Sequence, residues 1–174
     1  LTRIGRLDIS EAEYFDILKR KTAYLFSACC EVGAILGGAS DAEREALRSY
    51  GMDLGIAFQL SDDILDLTAT TRDLGKEAGS DLIEGKLTLP LIYLLEKRPE
   101  LRPQLEKIML DGEYTTISRE DVKAELLKLG LIDAITTRAE EHVAAARKSL
   151  DVLSESEYCS SLEDVLSFVT NRNA

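Results

Sequence analysis

Apolar residues recur three and four positions apart through long windows of the chain, and no stretch keeps the alternation of a half-buried strand. The pattern predicts an all-α protein. Ser10 followed by Glu13 has capping-box spacing, so a helix is expected from about Glu11 to Leu36, where Gly37-Gly38 stops it. Asp41 can cap a second helix that continues to about Thr68 with Gly51 and Gly55 inside it. Glycine in a helix interior costs roughly 1 kcal/mol relative to alanine, which points to close helix packing at those positions. Thr88 with Pro90 in the first turn opens a third helix along LTLPLIYLLEKR. Pro99 and Pro103 bracket a shorter one toward Leu110, Ser118 caps one ending near Gly130, and a long amphipathic helix runs from Leu131 to about Leu153. Ser161 with Asp164 opens a last helix through Phe168.

One long irregular segment interrupts this series: TATTRDLGKEAGSDLIEGK, Thr68 to Lys86, where Gly75, Gly79 and Gly85 recur among polar residues. Loops of such length inside a compact domain are usually functional or disordered.

The helix before that segment breaks its own apolar pattern. FQLSDDILDL, Phe58 to Leu67, places Asp62, Asp63 and Asp66 in a leucine-rich run. At 100° per residue these carboxylates and Gln59 share an arc of about 100°, while Phe58, Leu60, Ile64, Leu65 and Leu67 take the flanks and back. A solvent-facing stripe is the plain alternative, but apolar neighbours around most of the circumference favour a partly enclosed cavity. Carboxylates so close would take up protons in a low-dielectric site unless a counter-charge were supplied. Magnesium suits the role, since it is held by one or two carboxylates together with substrate phosphate oxygens, and Asp62 and Asp66 stand at i and i+4 on one face. The spaced ligands, central glycine and terminal glutamate of an EF-hand loop are missing. Lys21-Thr22, Lys76 and Lys86 supply the positive charge a phosphate needs, two of the lysines on the glycine-rich segment, and no P-loop consensus is present.

Composition and charge narrow the partners. At 174 residues the chain suits a single domain spanning 1–174. A net charge of −11 argues against nucleic acid or an anionic membrane surface. No apolar run approaches the ~20 residues of a transmembrane helix and no signal-peptide layout opens the chain, so no transmembrane segment and a cytoplasmic setting are expected. Three cysteines, two adjacent at Cys29 and Cys30, and one histidine, His142, make neither a disulfide framework nor a zinc set. The cysteines are expected in the core and His142 at a surface or boundary.

Four stretches together carry a resemblance: KRKTAYLFSACCEVGAILGGAS, YGMDLGIAFQLSDDILDL, LGKEAGSDLIEGKLTLPLIYLLE, and AAARKSLDVLSESEY leading to SLEDVLSFVTNR. Through nearly its whole length the chain resembles the trans-type isoprenyl diphosphate synthases, the polyprenyl synthetase family. The resemblance implies an all-α, isoprenoid-synthase-type helical bundle whose members use magnesium to ionise an allylic diphosphate and condense it with isopentenyl diphosphate. It implies Asp62 as a direct magnesium ligand and catalytic residue, with Asp63 and Asp66 as ligands or partners of metal-bound water. Lys21, Thr22, Gln59, Lys76 and Lys86 match positions that contact the allylic diphosphate, Lys21 and Lys76 counting as catalytic, and Asp81 is expected to orient a lysine. Only the second aspartate-rich DDxxD motif of the family is present. The chain therefore looks like the C-terminal portion of a synthase that is a homodimer at full length, and is expected to be inactive alone. A non-catalytic regulatory or binding subunit of a heteromeric synthase is the alternative. A class I terpene cyclase is disfavoured because SDDILD with LGK is the elongating form.

Overall fold

The computed structural model describes residues 5–69 and 78–171, and among these it is helical with no strand. Helix α1 (Glu11–Leu18) runs through a π turn (Lys19–Ala23) into α2 (Tyr24–Leu36), and α3 (Asp41–Thr68) follows. Then come α4 (Ser80–Ile83), α5 (Leu89–Lys97), a 3-10 turn (Pro99–Leu101), α6 (Arg102–Asp111), α7 (Arg119–Lys128), α8 (Leu131–Ser149), a second 3-10 turn (Leu150–Val152) and α9 (Glu157–Asn171). No described helix is long and apolar enough to cross a membrane.

Side-chain oxygens mark the starts of α1, α3, α7 and α9, whereas Thr88, expected to cap α5, makes no side-chain capping bond. Glu13 N–H donates to Ser10 Oγ at 3.3 Å while Ser10 N–H donates to Glu13 Oε2 at 3.0 Å, the expected reciprocal box. At α3 the box is made by Ser40 and Glu43, whose side chains accept at 3.3 and 2.8 Å, so Asp41 is the first helical residue and not the cap. Ser118 caps α7 as expected, paired with Asp121. Helix α9 begins at Glu157, earlier than expected, because Ser156 Oγ accepts from Cys159 N–H at 3.1 Å. Ser161 instead bonds back to the Glu157 carbonyl at 2.8 Å inside the helix. The segment expected to be irregular from Thr68 to Lys86 contains α4, whose Leu82 is buried.

The chain divides into two compact units, one of Leu1–Tyr14 with Asp62–Thr136, the other of Phe15–Ser61 with Thr137–Ala174. The second is built on Tyr50, Leu54 and Ala57 of α3, Val143 and Ala146 of α8, Leu150, and Leu166 and Val169 of α9. Tyr50, 1% exposed, still satisfies its phenol by donating to the Leu162 carbonyl at 2.8 Å. Cys29, expected in the core, is exposed, while Cys30 and Cys159 are half-buried. His142 sits at a boundary, its Nδ1 2.8 Å from Asp53 Oδ1.

In the same unit α2 and the π turn lie against α3 with no room for a side chain between them. A Cβ on Gly51 would stand 2.6 Å from the Phe26 carbonyl oxygen, and one on Gly55 2.6 Å from Ala23 Cα. Both glycines are therefore explained by backbone-to-backbone packing, as their cost in a helix suggested.

The first unit centres on leucines of α5, with Leu89, Leu91 and Leu94 each at most 1% exposed, joined by Leu82, Leu105, Ile108, Val122 and Leu126. Burying each such side chain contributes about 1.5–3 kcal/mol. The last turns of α3 belong here, with Ile64 and Leu67 buried in it.

Candidate functional site

The three aspartates of α3 have different surroundings. Asp63 is buried and accepts a hydrogen bond from the Tyr14 hydroxyl at 2.6 Å. Burial, and then the Asp63 charge, push the Tyr14 phenol well above its ordinary value, so it stays protonated and donates. Asp66 is also buried; Ser80 Oγ donates to its Oδ1 and the Asp81 N–H to its Oδ2, both at 3.2 Å. The Gly79 N–H donates to the Asp66 backbone carbonyl at 2.7 Å. Asp62 alone of the trio is not buried. Among the described residues no three His, Cys, Asp or Glu side chains form a ready cluster for a metal ion.

The turn after α3 links Asp66 to a lysine. Asp81 gives its amide to Asp66 and its carboxylate to Lys86, whose Nζ stands 2.9 Å from Asp81 Oδ1 and 2.5 Å from Glu84 Oε2. Burial opposes the Lys86 charge, but the hydrogen bonds and charges of Glu84 and Asp81 outweigh it and hold the ammonium above its usual range. Lys86 is thus brought to Asp81 and Glu84. Lys76 lies outside the described residues.

Lys21 and Thr22 lie in the π turn, where the Tyr24 N–H reaches back to the Lys19 carbonyl. Such wide turns re-aim side chains and are frequent at functional sites. Thr22 Oγ1 donates to Gln59 Oε1 at 3.1 Å, bringing two of the expected diphosphate contacts together. Lys21 is exposed.

Several residues that hold this arrangement gave no signal in the sequence reading. Tyr14 reads only as part of an amphipathic helix, and nothing local tells that it meets Asp63. Tyr114, whose hydroxyl donates to the Gly79 carbonyl at 3.0 Å, and Arg119 and Lys123 of α7 are equally distant in sequence from what they bind. The i, i+4 spacing of Arg119 and Lys123 was the one visible hint, since it puts two cations on one helix face.

The acidic DDxxD motif on a partly buried helix, with a threonine–glutamine pair on the same helix and its π-turn neighbour, agrees with the all-α isoprenoid-synthase-type bundle that the resemblance implies. Comparison with known proteins fixes the assignment further. The profile of the polyprenyl synthetase family matches residues 2–128, and the chain belongs to that family. It is 40% identical over 148 residues to the geranylgeranyl diphosphate synthase of Methanosarcina mazei, covering 85% of this chain and 44% of that protein. It is 36% identical over 159 residues to heptaprenyl diphosphate synthase component 2 of Bacillus subtilis, covering 91% of this chain and 45% of that one. Among solved structures it matches a polyprenyl synthase from Caulobacter crescentus, complexed with calcium and isoprenyl diphosphate, with a TM-score of 0.88 and 36% identity. That match covers 99% of this chain and 53% of the other. The chain spans about half the length of the curated relatives it matches.

Proposed function

We propose that the chain forms the part of a trans-prenyl diphosphate synthase that grips the allylic diphosphate, in an enzyme that condenses it with isopentenyl diphosphate. The observation that carries this reading is the division among the aspartates: Asp63 and Asp66 are buried on internal donors, whereas Asp62, on the same face of α3, is not buried.

The donor set fits a hard divalent cation, since it offers carboxylate oxygens and no sulfur or imidazole. The calcium in the Caulobacter protein belongs to the same chemical class, and magnesium is the ion we assign here. Asp62 would hold it directly, with Asp63 and Asp66 as further ligands or as acceptors for metal-bound water. When bound, the ion supplies electrostatic stabilisation to a departing diphosphate. The chain's own residues do the rest. Tyr14 keeps Asp63 oriented, and the turn at Ser80 and Asp81 does so for Asp66. Lys21 and the Gln59 side-chain N–H would donate to diphosphate oxygens, Thr22 orienting Gln59 through its hydroxyl, and Lys76 and Lys86 would supply further charge. Asp81 holds Lys86 in its charged form and fixes its direction.

The test is an elongation assay on the longest reading frame that contains these residues, with labelled isopentenyl diphosphate, an allylic diphosphate and magnesium. Asp62→Asn is expected to lose activity by about 100-fold or more, as for removal of a group that stabilises transition-state charge. Wild-type turnover by the variant would contradict the assignment.

A homodimer is the assembly we expect of the longer chain. The likeness to a protein named as one component of a heptaprenyl synthase favours a second reading, a subunit that works beside a different chain. Activity of the purified gene product by itself selects the first, and activity only on adding a second gene product selects the other.

A further inference from the structure

The end of α3 carries an electrostatic burden. The aligned peptide dipoles of a helix place negative charge at its C-terminus, and here Asp62, Asp63 and Asp66 add three carboxylates in the closing turns before Thr68. A helix usually answers its dipole with lysine or arginine in its own last turn, and α3 has none.

The cations come from α7. Arg119 Nη1 donates to the Ala69 carbonyl at 2.9 Å and to the Leu67 carbonyl at 3.4 Å, and Lys123 Nζ donates to the Thr68 carbonyl. These are the acceptors a helix end leaves without intrahelical donors. The Arg119 side chain is only 17% exposed, so its bonds form where water competes little. Its stem also closes the other side of the site. Gly79 has φ +78, and a Cβ there would lie 2.7 Å from Arg119 Cδ and 2.6 Å from the Tyr114 hydroxyl. Arg119 therefore touches both the end of α3 and the turn whose Ser80 and Asp81 donate to Asp66.

We infer that Arg119 and Lys123 are positioning residues for the metal-binding turns of α3, offsetting the negative helix end through its carbonyls so that the carboxylates remain available to a divalent cation. The inference rests on the proposed reading of α3 as a metal-binding helix. Arginine suits the place, because Nη1 reaches both carbonyls while Nη2 and Nε stay on Glu120 Oε1 at 2.9 and 3.2 Å, which fixes the plane of the guanidinium.

The sign of the effect separates positioning from mere proximity. Removing two positive charges near a cation site would by itself tighten cation binding, whereas loss of the helix-end bonds loosens the ligands. The experiment titrates Mn2+ into the 174-residue chain with inorganic pyrophosphate present, following free Mn2+ by paramagnetic resonance. It compares wild type, Asp62→Asn, the double variant Arg119→Met/Lys123→Met, and Lys123→Met alone. The double variant is expected to bind Mn2+ about tenfold more weakly, the scale on which groups orienting metal ligands act. Amide exchange in residues 62–69 should rise while that in residues 89–97 stays as in wild type. Unchanged or tighter binding with unchanged exchange overturns the inference and leaves the functional reading standing. Wild-type binding that does not depend on Asp62 overturns both. If the double variant does not fold, Lys123→Met is read in the same way, with a smaller loosening in the same direction expected.

Discussion

Asp63 shows how little a residue's type says about its task. It lies beside Asp62 in the sequence, yet its carboxylate is buried on the Tyr14 hydroxyl at 2.6 Å. Tyr14→Phe removes that donor from a buried charge and should cost about 1–3 kcal/mol, read as a lower urea midpoint with unchanged slope. A midpoint equal to wild type would show that the bond contributes nothing. The sequence made the aspartate stripe, Gln59 and the Lys21-Thr22 pair legible because their spacing is local. It could not show which carboxylate is accessible, because Tyr14, Ser80 and Tyr114 reach the site from elsewhere in the chain. The expectation that Cys29 is a core residue failed for the same reason: a small apolar residue on a helix says nothing about which face is covered.

The extents of α2 and α3 were readable almost in full from apolar spacing and glycines, and the one feature of this run that periodicity missed is the π turn at Lys19–Ala23. A single wide turn inside a long helical run leaves the apolar spacing nearly intact, so pattern alone cannot reveal it. Its last residue, Ala23, packs on Gly55, whose missing side chain leaves room for that approach to α3. Gly55→Ala should force the backbones apart at a cost of about 1–3 kcal/mol, the range for overpacking a close contact. The consequence predicted beyond stability is weaker diphosphate binding through Thr22 and Gln59, measured by calorimetry under conditions where the variant remains folded. Caps are less legible than helices, because serine-rich stretches such as Ser154 to Ser161 offer several equivalent oxygens and only packing chooses among them.

Taken whole, the chain belongs to the polyprenyl synthetase family and carries the aspartate-rich stretch that we propose as metal-binding. All-helical architecture and family were both legible, since helix period and an ordered set of motifs survive in a single sequence. By itself the 174-residue chain is expected to form no elongated product from isopentenyl diphosphate, an allylic diphosphate and magnesium, since the proposed reading gives it only one aspartate-rich motif. Measurable incorporation of label by the purified chain would refute that. The central claim, that α3 presents Asp62 to a metal-bound diphosphate, is tested most directly by isothermal titration of an allylic diphosphate into this chain with and without magnesium. The account predicts binding that requires magnesium and is lost in Asp62→Asn. Binding of equal strength without the metal, or its survival in the variant, would contradict it.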